Sequence, residues 1–386
     1  MTVTEILFAL IRYTILKKPL SEKVKTALTE KKELYCSLFS LAKSHDLAHL
    51  VCEALDQNGL LPKNEIGEKF NQQRILAVFR YEQNRYDFEE LCQLLEKEGI
   101  DYIPLKGSVL RDWYPEPWWR TSCDIDVLIK ERDLEKVCTC LKEKLDYKEE
   151  IKGLHDFSFW SSNDVHVEIH FDLIENVSKF IPVLSKVWDT AVVKDGFQHY
   201  LLMTDEMFYF YHLGHMAKHI INGGCGFRSF VDLWVLDNLV PHDQEKREDL
   251  LKQGELCSFA NVARNLTAAW LEEAEKNELS ERLEDFLLQA GAYGSMENRV
   301  AVQQAKKGGK FRYLISLIWL PFPTLKIVYP SLEKRKWLYP FYQVRRWFRI
   351  LFKGLKSTTK QHIQTSNSIT KEQRNDVAQL LKDLEL

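Results

Sequence analysis

Two short runs, Cys123-Asp-Ile-Asp-Val-Leu-Ile129 and Val165-His-Val-Glu-Ile-His170, alternate polar and apolar residues. In a strand, residues two apart share a face, so Ile125, Val127 and Ile129 line one side and Asp124 and Asp126 the other. By the same rule Val165, Val167 and Ile169 oppose His166, Glu168 and His170. If the two runs are neighbouring strands, they build a sheet that is buried on one face and acidic on the other.

Around these runs the pattern predicts helices, strands and turns in a definite order. Thr2-Val-Thr-Glu5 is a capping box for a first helix. Lys32 to Leu55 is a second helical stretch, broken near His45-Asp46, and Asn64 to Glu98 is a third, stopped by Gly99. Tyr102 to Leu105 reads as a strand, Lys106-Gly-Ser108 as a turn into a brief helix, and Asp133 to Leu145 as a helix. His155 to Trp160 and Val165 to His170 form a hairpin around Ser161-Ser-Asn-Asp164. Beyond Asp205 helices return: Glu206 to Ile221, Phe227 to Leu239, Glu255 to Glu278 and Ser280 to Gln289. A polar linker and a final amphipathic helix, Thr370 to Leu386, close the chain.

The fold class is therefore α+β, a small mixed sheet flanked by N-terminal and C-terminal helical domains. A length of 386 residues suits two or three domains of about 150 residues each. The divisions expected are a helical domain over 1–99, a sheet domain over 100–200, a helical domain over 201–360, and a linker with the terminal helix over 361–386. An apolar content of 45% and a charged content of 28% exclude a disordered or fibrous chain. No run approaches the ~20 apolar residues of a spanning helix, and Met1 to Leu20 lacks the features of a signal peptide. The eight scattered cysteines read as reduced thiols, and the expected location is cytoplasmic.

The net charge of −3 hides an asymmetry: Lys306 to Lys360 holds fourteen Lys and Arg against one acid, Glu333, together with twelve aromatic residues. Such a segment can meet a membrane, a nucleic acid or the chain's own acidic part. Three exposed tryptophans would make an unusually large apolar patch. The expectation is that Trp319, Trp337 and Trp347 pack inside the C-terminal helical domain, with only the arginines exposed. Docking on a membrane surface is the less favoured reading. Nucleic acid is not favoured either, because the basic stretch is confined to the tail.

The chemistry expected concentrates at Gly107-Ser108, Asp124-Ile-Asp126 and Glu168. If the two acidic strands are neighbours, three carboxylates converge, and they repel one another unless a cation intervenes. Neutralising one of them by Asp126→Asn would then relieve repulsion and leave the fold intact. Oxygen ligands suit Mg²⁺, which takes substrate phosphate oxygens as further ligands, and two such ions can clamp the attacking and leaving oxygens of a phosphoryl transfer. His212, His215 and His219 share one helical face, which either lines a cleft or packs in a core. Arg228 and Asp232, four residues apart, are most simply an ion pair within one helix.

The stretch from Leu105-Lys-Gly-Ser108 through Asp124-Ile-Asp126 to Val167-Glu-Ile-His170 resembles the nucleotidyltransferase superfamily. More narrowly it resembles the uncharacterised bacterial nucleotidyltransferases with an LKG turn, a YPxPxxR loop before DID, and an ExH strand. Tyr114 to Arg120 matches the loop. The family's later histidine helix and its Gly-rich turn leading to RxxxD are matched by His212, His215 and His219, by Gly223-Gly224, and by Arg228 with Asp232. The similarity covers about residues 30 to 330.

The resemblance implies a nucleotidyltransferase-type sheet and transfer of a nucleoside monophosphate from an NTP such as ATP, with release of pyrophosphate. Asp124, Asp126 and Glu168 would be the catalytic and metal-binding residues, with two Mg²⁺ ions. Lys106, Gly107, Ser108 and Arg120 would bind the nucleotide. His170, His212, His215, His219 and Arg228 would face an acceptor, whether small molecule, sugar or protein. Fifteen residues separate Ser108 from Asp124, more than in compact members, so the loop Trp113 to Trp119 either obstructs the nucleotide or shapes the acceptor pocket. The alternative is an inactive binding or scaffolding module, membrane-peripheral through the basic segment.

Overall fold

The computed structural model describes residues 1–153, 155–173, 177–292, 294–353 and 357–386. It has two compact units, Met1–Lys218 with Gly226–Glu281, and His219–Cys225 with Arg282–Leu384.

In the first unit the local signals act as expected. The Thr2 hydroxyl accepts the Glu5 N–H at 3.1 Å, and the Glu5 carboxylate accepts the Thr2 N–H at 2.7 Å, capping Val3–Leu16. The second helical stretch is broken at His45-Asp46, between Leu34–Ser44 and Ala48–Gln57. Asn64 caps a helix of 33 residues, Glu65–Lys97.

Five strands follow: β1 (Tyr102–Pro104), β2 (Asp124–Ile129), β3 (Lys148–Lys152), β4 (Asp156–Trp160) and β5 (His166–His170). They form a mixed sheet in the order β1-β2-β5-β4-β3, with β2 and β5 parallel and the other pairs antiparallel. Ile125, Val127, Ile129, Val167 and Ile169 lie in one buried cluster with Leu91 and Leu95 of the long helix and Val137 and Leu141 of the helix Leu134–Lys144. This core sets the register, because a slip of one residue would drive Asp126 and Glu168 into it. The apolar pattern does not reveal β3, whose sequence is Lys-Glu-Glu-Ile-Lys. It is an edge strand, and charge there discourages pairing with another chain.

The break at His45 has a measurable consequence. The His45 ring stacks on Phe227 with centroids 3.6 Å apart, and its Nδ1 accepts the Phe227 N–H at 3.3 Å. Protonation would remove that acceptor and bury a cation, and burial pushes the imidazole down to about 4. An unfolded histidine titrates near 6.5, so between these values the unfolded chain binds a proton that the folded chain does not. Stability should therefore fall as pH drops from about 6.5 to 4, by up to about 3 kcal/mol from this residue. Urea unfolding at about pH 7.5 and pH 4.5 measures it, and His45→Gln should flatten the dependence by that amount. Parallel pH curves for the two proteins would overturn the assignment.

In the second unit, Gly223 and Gly224 hold φ of +114° and +137°, and a Cβ on Gly224 would lie 2.1 Å from that of Ala290. Residues expected as a polar linker form the helix Ser357–Ser368 instead. Its polar side chains are satisfied by other helices: Gln304 donates to Ser366 O and Oγ at 3.3 and 3.1 Å, and His362 shares a hydrogen bond of 2.7 Å with Tyr313.

The basic segment departs in part from its expected polarity: Arg345 and Arg349 are exposed and Trp347 is half-buried, but other rings face outward. Phe311, Trp319, Trp337 and Phe341 are exposed, Trp337 to 77%, whereas Arg346 is buried. Arg346 donates to the Ile318 and Leu317 carbonyls at 2.7 and 3.0 Å. These end the helix Lys310–Ile318 and have no partner within it, so the guanidinium serves as their cap. Buried Gln343 and the Tyr339 hydroxyl do the same for Leu320 O. Among the described residues, no helix is long and apolar enough to cross a membrane.

Candidate functional site

The parallel register of β2 and β5 sets Asp124 opposite His166 and Asp126 opposite Glu168. All four project from the face opposite the apolar cluster. The His170 Nε2 lies 2.9 Å from Asp126 Oδ1 and 3.3 Å from Glu168 Oε2. Asp126, Glu168 and His170 thus offer three ligand atoms, all within 4.8 Å of one another. Asp124 stands one pleat away, where its Oδ1 accepts the Ser122 hydroxyl at 2.8 Å.

The turn after β1 leads to the same place. Leu105 N–H donates to Asp126 O at 3.0 Å, and the Lys106 ammonium reaches Asp126 Oδ1 at 2.8 Å. Lys106 holds φ +45°, ψ −120°, a backbone region that costs a residue with a side chain of the order of 1–3 kcal/mol. Gly107 is needed for closeness: a Cβ there would lie 2.9 Å from Ser122 Oγ and 3.0 Å from Ser122 Cβ. Arg111 donates its Nε–H to Gly107 O at 2.8 Å. With Ser108, Tyr81, Lys194 and Tyr200 it lines a cavity of about 690 Å³.

Charge in this cluster is balanced by cations of the chain itself. Burial alone would raise the Asp126 pKa, but the Lys106 ammonium and the His170 imidazole outweigh it and hold the carboxyl well below the usual range. Burial likewise opposes charge on His170, yet its bonds to Asp126 and Glu168 push it up to about 9. Asp126 therefore sits between two positive groups at neutral pH.

Arg120, Arg228 and Asp232 brace the loop ahead of β2. The Asp232 Oδ1 accepts both the Tyr114 hydroxyl and the Arg120 Nε–H at 2.7 Å. Arg228 pairs with Asp46 and donates to Thr121 O at 3.0 Å, and the Thr121 hydroxyl donates to Asp46 at 2.7 Å. Each residue of the Arg228–Asp232 spacing thus makes a contact distant in sequence, and the nearby Arg228 charge also helps to lower the Asp232 carboxyl. Asp232 is fully buried and Arg120 nearly so, so each gains more from a desolvated partner than from an exposed one.

The model of a family described as uncharacterised nucleotidyltransferase matches residues 36–272, more than half of the chain. The chain belongs to this family. No curated protein and no solved structure matches it. The match ends before residue 330, to which the motif resemblance extends, and the basic segment lies outside it.

Nucleotidyltransferases use a nucleoside triphosphate and a divalent metal, and the donors present fit such an ion. Two carboxylates and one imidazole within 4.8 Å can share a cation, once Lys106 and the His170 proton give way. His170, expected beside an acceptor, lies against Asp126 and Glu168. His212 is buried, with Nε2 3.0 Å from Ser229 O, and His215 lies beside the Tyr211 ring, centroids 6.1 Å apart. The His219 carbonyl accepts N–H groups of the glycine turn in the second unit. Ser122 and Arg111 were not legible as site residues. Ser122 precedes the alternating run, and the spacing from Gly107 to Arg111 is that of any helical turn.

Proposed function

We propose that the chain moves a nucleoside monophosphate from an NTP to a hydroxyl of a small-molecule, sugar or protein acceptor and releases pyrophosphate, with two Mg²⁺ ions as cofactor. The observation that supports this most is the pairing of Asp126 with Glu168 on adjacent parallel strands, beside the strained Lys106 turn. Bound there, the ions would supply positive charge for the phosphate oxygens and the departing pyrophosphate. Asp124, Asp126 and Glu168 would hold them, with His170 as a neutral ligand. Lys106 has a flexible stem that can carry its ammonium from Asp126 to a phosphate oxygen, while Gly107 and Ser108 leave room for the phosphates. Arg120, engaged by Asp232, positions the loop.

The acceptor oxygen bonds to the α-phosphorus, and the bond from that phosphorus to the β-bridging oxygen breaks. Pyrophosphate leaves with the electron pair, and the hydroxyl proton passes to Glu168. The scaffolding alternative draws on one observation, that Lys106 and His170 already neutralise Asp126.

Glu168→Gln separates the two. Glu168 is a quarter exposed and a glutamine can still accept from His170, so the variant should fold with only a modest loss of melting temperature. Pyrophosphate release with Mg²⁺ and a pool of NTPs and candidate acceptors should fall about 10²–10³-fold, the usual loss when one such group is removed. Turnover unchanged in the variant would sink the assignment of Glu168, and no turnover by the native chain with any NTP would favour the scaffold.

A further inference from the structure

The second unit is built with part of its polarity turned inside out. In the helix Lys310–Ile318 and the residue after it, Phe311, Ile315, Ile318 and Trp319 are exposed, while Tyr313 is buried. Those exposed positions follow i, i+4, i+7 and i+8, hence a single helical face. The helix Tyr339–Lys353 repeats the arrangement, with Phe341, Val344, Arg345 and Arg349 outward and Gln343 and Arg346 inward. The inward polar groups are committed to capping the Ile318, Leu317 and Leu320 carbonyls. The outward apolar side chains therefore cannot exchange places with them by a rotation of the helix without leaving those carbonyls bare. Trp337, on the short turn Lys336–Leu338 directly before the helix Tyr339–Lys353, is exposed beside exposed Lys334, Arg335 and Lys336.

A soluble surface seldom keeps so many large apolar side chains together, and here they are interspersed with cations in a segment that has one acid. A protein partner would need a matching groove for each ring. A bilayer interface needs only aromatic residues at headgroup depth with Lys and Arg beside the lipid phosphates. With no helix among the described residues long and apolar enough to cross, such an element would lie in the interface plane. We propose that this face of the second unit docks the protein on an anionic lipid bilayer. Phe311, Ile315, Ile318, Trp319, Trp337 and Phe341 enter the headgroup boundary, and the flanking Lys and Arg meet lipid phosphates. The proposal is independent of nucleotidyl transfer.

Sedimentation of the full chain tests it, using vesicles of phosphatidylcholine alone and of phosphatidylcholine mixed with phosphatidylglycerol. Binding is expected to the mixed vesicles only. Arg345→Gln and Arg349→Gln should each weaken it about fivefold, an effect that shrinks as salt rises. Trp337→Ser with Phe341→Ser should weaken it at least tenfold at every salt concentration. All four residues are exposed, so melting curves should coincide with the native one and exclude misfolding. Equal sedimentation with and without vesicles would overturn the proposal. So would binding that the aromatic pair does not affect, which would mean charge adhesion alone. Concentration-dependent dimers abolished by Trp337→Ser with Phe341→Ser, without vesicle binding, would assign the face to a second copy instead.

Discussion

Asp126→Asn is expected to lower stability by about 3–5 kcal/mol, the usual cost of removing one partner from a buried ion pair. Reasoning from three repelling acids predicts the opposite, stability held or raised. The difference lies in what surrounds the carboxylate. Asp126 is 1% exposed and meets the Lys106 ammonium at 2.8 Å and the His170 Nε2 at 2.9 Å. Neutralising it leaves a largely buried ammonium facing an amide and raises the cost of keeping His170 charged. Lys106→Met in the same chain removes the orphaned charge and should recover a large part of the loss. Urea unfolding of the two single variants and the double variant gives the coupling directly. A single variant as stable as the native chain would show that repulsion between acids governs the cluster after all. Because Asp126→Asn also removes a proposed metal ligand, its loss of turnover is informative only at temperatures where melting shows it folded.

Asp232→Ala should cost a similar amount, about 3–5 kcal/mol, because it strands the Arg120 guanidinium inside the first unit. It also deprives the Tyr114 hydroxyl of its acceptor. An intrahelical pair of exposed residues would be worth only about 0.3–0.5 kcal/mol, so the two arrangements differ by nearly tenfold in expected effect. The loop from Tyr114 to Arg120 should become accessible to protease before the protein melts. Thermal unfolding and limited proteolysis read the two consequences. A cost below about 1 kcal/mol would rule out the cross-chain contact as the dominant partner of Asp232.

Much of the sheet was legible because alternation is a local property. Ile125, Val127, Val167 and Ile169 must share a buried face, so their neighbours Asp126 and Glu168 must share the other. Caps and breaks were legible for the same reason: Thr2 reaches only to Glu5, and His45-Asp46 interrupts its own helix. β3 was not, since its place depends on β4 being free to pair and not on any apolar pattern of its own.

Sequence alone determined which residues lie on one face of a strand or helix, because backbone geometry repeats every two or every 3.6 residues. Tertiary structure decided which charge meets which. Asp232 is hydrogen-bonded by an arginine 112 residues away, with the one four residues away adding its charge, and Asp126 takes a lysine held in a strained turn. It also decided which side of the basic helices faces outward, because Arg346 and Gln343 found carbonyls to cap and turned the aromatic side chains to the solvent. A charge or a hydrogen-bonding group is satisfied by distance and desolvation, not by spacing along the chain, and both are set only when distant segments pack.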